Sequence, residues 1–241
     1  MALALDGHAT NNETTGLQTS LSVTLSTALA KDIIVVVVDF GWASGGAAAS
    51  VSSITDGAAL TWTKRKSVAA GSQNVMEIWW AYSSGILSAD SITVNYNNPS
   101  NAVVTVLVFG VNGADTSAPW DTNVSLPASV TTGTNTPSVS GVSTTAGNTM
   151  LLGIYGSNSV GVAPTAAGST FTIIDDSFQA FSGQGSGAAA EYKVVSASQS
   201  SVSVAFAATS GSAGGTMLAD AIKAPLYPAP RRIRNFIDRR Q

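Results

Sequence analysis

The sequence contains no cysteine, only one histidine and very few charged residues. Without cysteine the chain has no disulfide, no thiol nucleophile and no thiolate metal ligand. A Ser–His–Asp arrangement would have to use His8, which lies close to the start of the chain and which we interpret as a polar surface residue. Charged residues make up 10% of the 241 residues, whereas about a quarter is usual in soluble domains.

The scarcity of charge leaves the surface with little electrostatic protection against association. Ser, Thr, Asn and Gly supply the polarity instead. We therefore favour a subunit whose surface is largely covered in an assembly over a compact domain that is coated with Ser and Thr.

Positive charge is missing from most of the chain. No Lys or Arg occurs between Ser67 and Tyr192, and residues 1–230 hold six basic and thirteen acidic residues, a balance of −7. Residues 231–241 hold five Arg and one Asp, a balance of +4. Because phosphate binding requires clustered positive charge, we expect no direct contact with nucleic acid.

Targeting, membrane and cofactor signals are also absent. Residues Met1–Asp6 have neither a basic region nor a long apolar core, so they do not form a secretory signal. The apolar run Ile33–Val38 is far shorter than the roughly 20 residues of a membrane span. Calcium-loop, phosphate-loop and zinc-site spacings do not occur. We expect a chain made in the cytoplasm, without a membrane span, a cofactor or a metal site.

The sequence does contain a series of short strand-like segments. The β-branched run Ile33–Val38 has no polar interruption, which indicates a strand buried on both faces at the centre of a sheet. Val103–Phe109 is a second such run and its expected partner. Alternating segments such as Leu21–Leu25 and Ile92–Tyr96 indicate half-buried strands. No window before residue 225 has sustained helical spacing with caps, so we predict an all-β fold.

The strand-like segments recur in the same order in the second half of the chain. Over six elements the offset stays between about 109 and 116 residues, which indicates an internal duplication. We predict an antiparallel β-sandwich, jelly-roll or immunoglobulin-like, built from two similar six-strand repeats at residues 19–113 and 135–224. The repeats form either two tandem sandwiches or two interleaved halves of one. Met150–Tyr155 matches Ile33–Val38, and its Gly153 predicts less strict burial.

Three shorter segments complete the predicted organisation. Residues 1–18 form an N-terminal arm or edge strand, and residues 114–134 form a linker. Residues 225–241 form a basic C-terminal tail, in which Ile233, Phe236 and Ile237 follow the spacing of a short helix with one apolar stripe.

The tail has features of three kinds of binding segment. Eleven residues are short for a membrane-surface helix, and nucleic-acid binding by one short tail would be weak and salt-sensitive. Docking onto a neighbouring subunit uses both features, because the apolar stripe fills a groove and the Arg side chains pair with an acidic neighbour. A solvated flexible tail is the alternative. The candidate docking residues are Arg231, Arg232, Ile233, Arg234, Phe236, Ile237, Arg239 and Arg240.

Acidic residues give few candidates for chemistry. Asp175 and Asp176 are adjacent, so on a strand they point to opposite faces and cannot share a metal without a bulge or turn. Glu77 and Glu191 occupy matching places in the two repeats, and symmetry could pair them as acid and base. We favour the interpretation that both lie on the outer faces of equivalent strands.

Aromatic residues give a candidate carbohydrate platform. Trp79 is the best candidate because it lies on the strand face opposite Met76, Ile78 and Trp80, and Trp120 in a Pro-Trp-Asp loop is next. The alternative is that both rings pack in the core or cap its end.

Five segments follow one another in the first half of the chain: D-I-I-V-V-V-V, I-T-D-G-A-A-L-T-W-T, E-I-W-W-A-Y, S-I-T-V-N-Y and V-V-T-V-L-V-F-G-V-N-G-A-D-T-S-A-P-W-D. This pattern resembles β-sandwich proteins on the virion surface of tailed bacteriophages, which serve as capsid decorations or as parts of fibres and spikes. The resemblance covers about the first 125 residues and includes no diagnostic motif.

The resemblance implies a non-enzymatic structural protein of a virus particle, with no catalytic residues to transfer. Its expected partners are further copies of itself and other proteins of a capsid or tail lattice, with residues 1–18 and 225–241 making contacts between subunits. Its expected location is the virion. A glycan-binding adhesin is the alternative function.

Overall fold

The all-β prediction is confirmed by a computed structural model, which describes residues 2–13, 15, 18–41, 49–70, 74–97, 102–134, 136–157, 166–181, 184–207 and 214–226. These ranges contain fifteen strands and no helix. The strands are β1 (Ala4–Asn12), β2 (Ser20–Leu25), β3 (Asp32–Gly41), β4 (Ser50–Thr55), β5 (Thr63–Ala70), β6 (Asn74–Ser83), β7 (Asp90–Asn97), β8 (Val103–Asn112), β9 (Ala128–Thr132), β10 (Ser138–Val142), β11 (Thr149–Ser157), β12 (Thr172–Phe181), β13 (Gln184–Val195), β14 (Val202–Ala205) and β15 (Gly215–Lys223).

The strands form two large and two small antiparallel sheets. The large sheets have the orders β1-β8-β3-β6-β5 and β9-β15-β11-β13-β12, and the small sheets have the orders β2-β7-β4 and β10-β14. The central strand β3 pairs with β6 and β8, and β11 pairs in the same way with β13 and β15. The predicted neighbour of Ile33–Val38 is thus confirmed.

Side-chain alternation along β3 shows how the sheets are layered. Ile33, Val35 and Val37 pack in a central core that both large sheets share. Ile34 and Val36 point the other way and pack against the small sheet of β2, β7 and β4. A third core lies between the second large sheet and β10-β14. The molecule therefore has four layers, two tandem sandwiches packed through their large sheets, and not one interleaved sandwich.

The expectation that β11 is less strictly buried is wrong. All nine residues of Thr149–Ser157 are buried. Gly153 does not open the strand to solvent, because the Glu191 side chain occupies the space above it: a Cβ at Gly153 would lie 2.7 Å from Glu191 Oε1. The glycine makes room for a buried carboxyl group.

Loops of the two sandwiches repeat the same hydrogen bonds. The Thr27 amide donates to Leu87 O, and the Leu87 amide donates back to Thr27 Oγ1, at 2.9 and 3.0 Å. Thr144 and Gln199 exchange the same two bonds at 3.1 and 2.9 Å. These matches favour the internal duplication, which stays a prediction.

Positive backbone φ angles recur at equivalent places. The residue before each central strand has one, 69° at Lys31 and 52° at Asn148. Residues other than glycine seldom adopt the left-handed backbone conformation. Its presence at the same loop position is therefore a second similarity between the two halves.

Both predicted connecting segments contribute to the sheets. Residues 4–12 form β1, an edge strand of the first large sheet, which matches the second of the two alternatives for the N-terminal segment. Residues 114–134 are more than a linker, because they include β9 and a β-bridge between Trp120 and Ile222. The tail beyond Leu226 lies outside the described residues.

Polar contacts join the two sandwiches across the central core. Arg65 on β5 donates from Nε and Nη2 to the two carboxylate oxygens of Asp220 on β15, at 2.7 and 3.0 Å. The Asp220 side chain is almost fully buried. Burial raises its pKa, and the hydrogen bonds and charge of Arg65 act in the opposite direction.

We predict that Arg65→Leu destabilises the protein by about 3–5 kcal/mol, because it leaves the Asp220 carboxylate buried without its cation. Urea unfolding monitored by circular dichroism measures the change. The double variant Arg65→Leu/Asp220→Leu should regain most of the loss, since an apolar pair of similar volume replaces the ion pair.

Lys66→Leu is the matched control, because Lys66 follows Arg65 on the same strand and none of the ion pairs among the described residues involves it. A loss in Arg65→Leu no larger than in Lys66→Leu would contradict the role of the ion pair.

Candidate functional site

Trp80 and Trp120 meet at one rim of the central core. Their rings are 6.4 Å apart and inclined at 78°, an edge-to-face arrangement. The Arg65 guanidinium lies 4.8 Å from the Trp120 ring centre while it binds Asp220. Both tandem sandwiches thus supply groups to this aromatic corner, and the ion pair holds it in place.

A cleft of about 570 Å³ opens beside Trp80, and we call it the aromatic cleft. Tyr82 lies two residues further along β6 and lines the same cleft, because alternate residues of a strand share a face. Exposed hydroxyl groups of Thr61, Thr63 and Ser84 also line it, and none of its lining residues is charged.

A second cleft of about 330 Å³ is also lined by Trp80, and we call it the indole cleft. Trp120 and Arg65 line it together with Asp121. The Trp120 ring is 7% exposed, and its Nε1–H has no acceptor among the described residues.

Trp79 is next to Trp80 in sequence, but its side chain points to the other face of β6 and lines neither cleft. Its side chain packs against the core between the first large sheet and its small sheet. Its Nε1–H donates to Glu77 Oε2 at 2.8 Å, and the Lys64 ammonium lies 5.0 Å from its ring centre. The structure does not bring together Trp79 and Trp120, and a glycan contact at either residue stays a prediction.

Glu77 and Glu191 lie on the outer faces of equivalent strands of the two large sheets, as interpreted, but these faces are covered and not exposed to solvent. The two residues are 2% and 0% exposed, because each small sheet covers the outer face of its large sheet. They also point into different sandwiches, so they do not form an acid–base pair. Glu77 accepts from Lys64 Nζ at 2.9 Å, whereas Glu191 accepts a 2.7 Å bond from the Gly168 amide.

Burial perturbs two of the carboxyl groups strongly. Desolvation raises the pKa of Glu191 to about 7, against only one opposing backbone hydrogen bond. Desolvation also raises the pKa of Asp39 to about 7, although Asn74 and Ser186 donate to it at 2.7 and 2.8 Å. Because Asp39 lies on β3 and Ser186 on β13, this contact also joins the two sandwiches.

His8 forms a surface pair with Asp175. Its Nδ1 lies 2.8 Å from Asp175 Oδ2, with 44% and 26% of the two side chains exposed. The neighbouring Asp176 follows on the other face of β12, and the β-bulge of this strand lies before both, between Ile173 and Asp175. No group of three His, Cys, Asp or Glu side chains able to hold a metal occurs within the described ranges.

A third cleft, of about 400 Å³, lies where the described chain ends, and we call it the terminal cleft. Leu29, Asn112 and Pro225 line it, and Leu226 follows as the last described residue. The predicted docking residues 231–240 lie outside the described residues.

Comparisons with known proteins give no match: no family model, no curated protein and no solved structure is similar to this chain. Among the described residues no helix is long and apolar enough to cross a membrane.

The sequence did not single out Trp80 and Tyr82, because their strand face points toward the core. Their position near the end of β6 could have identified them, because aromatic residues at the end of a core strand lie at the rim of the core and are partly exposed.

We predict that the stability of the protein falls as the pH rises from about 4.5 to about 7. The pKa of Glu191 is about 7 in the folded chain against an ordinary 4.5, so folding takes up a proton in this range. Above pH 7 the contribution levels off. Glu191→Gln removes the titrating group and should lose less stability between pH 5 and pH 8 than the unaltered chain.

Urea unfolding midpoints at pH 5 and pH 8 measure this difference. Glu77→Gln is the matched control at the equivalent position. It should still lose stability between pH 5 and pH 8, because Glu191 is present in this variant. Equal pH dependence in Glu191→Gln and the unaltered chain would show that Glu191 does not titrate in this range.

Proposed function

We propose that this chain is a non-enzymatic structural protein of a virus particle, a capsid decoration or fibre component that assembles through contacts between subunits. The observation that carries the proposal is the apolar surface around the terminal cleft. The four-layer body supports a mechanical role, because its polar contacts hold the sandwiches together.

Large apolar side chains are exposed around the terminal cleft. Leu29 is 50% exposed and lines it, and Leu226, at 79%, follows the lining residue Pro225. Ile86, at 59%, lines the adjacent aromatic cleft, which shares Thr116 with the terminal cleft. Such a grouping of exposed apolar residues at one end of a subunit is typical of a protein contact.

The occupant we propose for the terminal cleft is the segment 231–241 of a neighbouring copy. Its Ile233, Phe236 and Ile237 supply apolar groups for the cleft. The one charged residue in the described lining of the cleft is Lys31, so the Arg side chains would pair with acidic residues outside the cleft, on a body whose residues 1–230 have a balance of −7.

We predict that a chain ending at Pro230 stays folded but loses self-association, because the docking segment is removed. Sedimentation velocity at several concentrations measures the mass of both forms. The triple variant Ile233→Ser/Phe236→Ser/Ile237→Ser should behave like the truncated chain, since it keeps every Arg. An unchanged oligomeric mass in both variants would contradict docking by this segment.

The other side of the contact is tested at Leu29. Leu29→Asp should weaken association because it places a charge in the terminal cleft. Val124→Asp is the matched control, since Val124 is fully exposed and is absent from the lining of the terminal cleft. Equal association of the two Asp variants would place the contact elsewhere.

The location in a particle needs its own experiment. Antibodies raised against the purified chain should label the surface of the virus particles whose genome encodes it, as seen by immunogold electron microscopy. Particles that contain the genome but bind no gold would contradict the structural role.

A further inference from the structure

We propose that the aromatic cleft binds a neutral oligosaccharide through Trp80 and Tyr82. This binding site adjoins the terminal cleft, with which it shares Thr116, but its existence does not depend on the assembly that we propose for the chain.

The two aromatic rings provide a stacking surface. Trp80 and Tyr82 share one face of β6 at its end, and both are partly exposed at the rim of the central core. The electron-rich face of an aromatic ring attracts the C–H groups on the apolar face of a sugar. Two such rings, two residues apart on one strand, form a platform for neighbouring sugar units.

Contacts within the fold hold Trp80 in place without a ligand. Trp80 packs edge-to-face on Trp120, and the guanidinium that lies against Trp120 is fixed by two hydrogen bonds to Asp220. Binding therefore requires little ordering of these side chains, which favours affinity for a weakly held ligand such as a sugar.

The polar groups of the cleft match the hydroxyl groups of a sugar. Thr61, Thr63 and Ser84 are exposed in its lining, and each hydroxyl both donates and accepts hydrogen bonds. This ring of short hydroxyl side chains around aromatic rings is the composition expected for an uncharged polar ligand.

The absence of charge in the lining defines the class of sugar. No Lys, Arg, Asp or Glu lines the aromatic cleft. Arg65 lines the indole cleft and not the aromatic cleft, and its charge is paired with that of Asp220. We therefore assign a neutral sugar to the cleft.

The dimensions of the clefts favour more than a single sugar unit. The aromatic cleft has a volume of about 570 Å³, and Trp80 also lines the indole cleft of about 330 Å³.

The test uses the full-length chain on an array of immobilised oligosaccharides with neutral and acidic members, followed by titration calorimetry with the soluble form of any sugar that binds. We expect neutral members to bind. Trp80→Ala should weaken binding about tenfold or more, because the larger stacking ring is lost. Thr61→Arg should do the same by filling the cleft from an exposed position that does not contribute to the core.

Tyr192→Ala is the matched control, since Tyr192 is also a partly buried aromatic residue packed against the central core but lines none of the three clefts, and it should bind as the unaltered chain does. Thermal unfolding verifies that each variant is folded. If Trp80→Ala does not fold, Thr61→Arg still tests the proposal. The proposal is overturned by the absence of any neutral ligand, by binding of acidic members alone, or by binding that Thr61→Arg leaves unchanged. Sedimentation velocity distinguishes loss of sugar binding from loss of self-association. Thr61→Arg should lose sugar binding and keep the oligomeric mass of the unaltered chain.

Discussion

Burial of β3 on both faces is the constraint on which the rest of the structure depends. Its side chains are apolar on both faces between Ile33 and Val38, so the strand needs a covering layer on each side. The small sheet of the first sandwich covers one face, and the second sandwich covers the other. The central strand β11 is buried in the same way, and the four layers follow from these two strands.

The same constraint moves functional groups to the ends of the sheets. Inside the layers, the polar side chains that bridge the sandwiches, such as Asp39 and Asp220, are bound by neighbours in the fold. Surfaces able to contact another molecule remain at the rim, where the aromatic cleft and the terminal cleft lie. The two proposals use adjacent clefts that share Thr116.

The sequence predicted those features that depend on local pattern. The unbroken run Ile33–Val38 identified the central strand, and alternation identified strands such as β2 and β7. It failed where the outcome depends on distant partners. Glu77 and Glu191 read as surface residues because nothing local shows that a small sheet covers them, and Trp80 read as a core residue because the end of the core is not visible in one strand.

The central claim is that the two sandwiches form one cooperative unit through the shared core, and native-state hydrogen exchange tests it most directly. The account predicts that the amides of β3 and β11 exchange only by global unfolding, with the same free energy of opening. Arg65→Leu should lower both values together. A much lower value for β11 than for β3, so that the second sandwich opens while the first stays folded, would contradict the account.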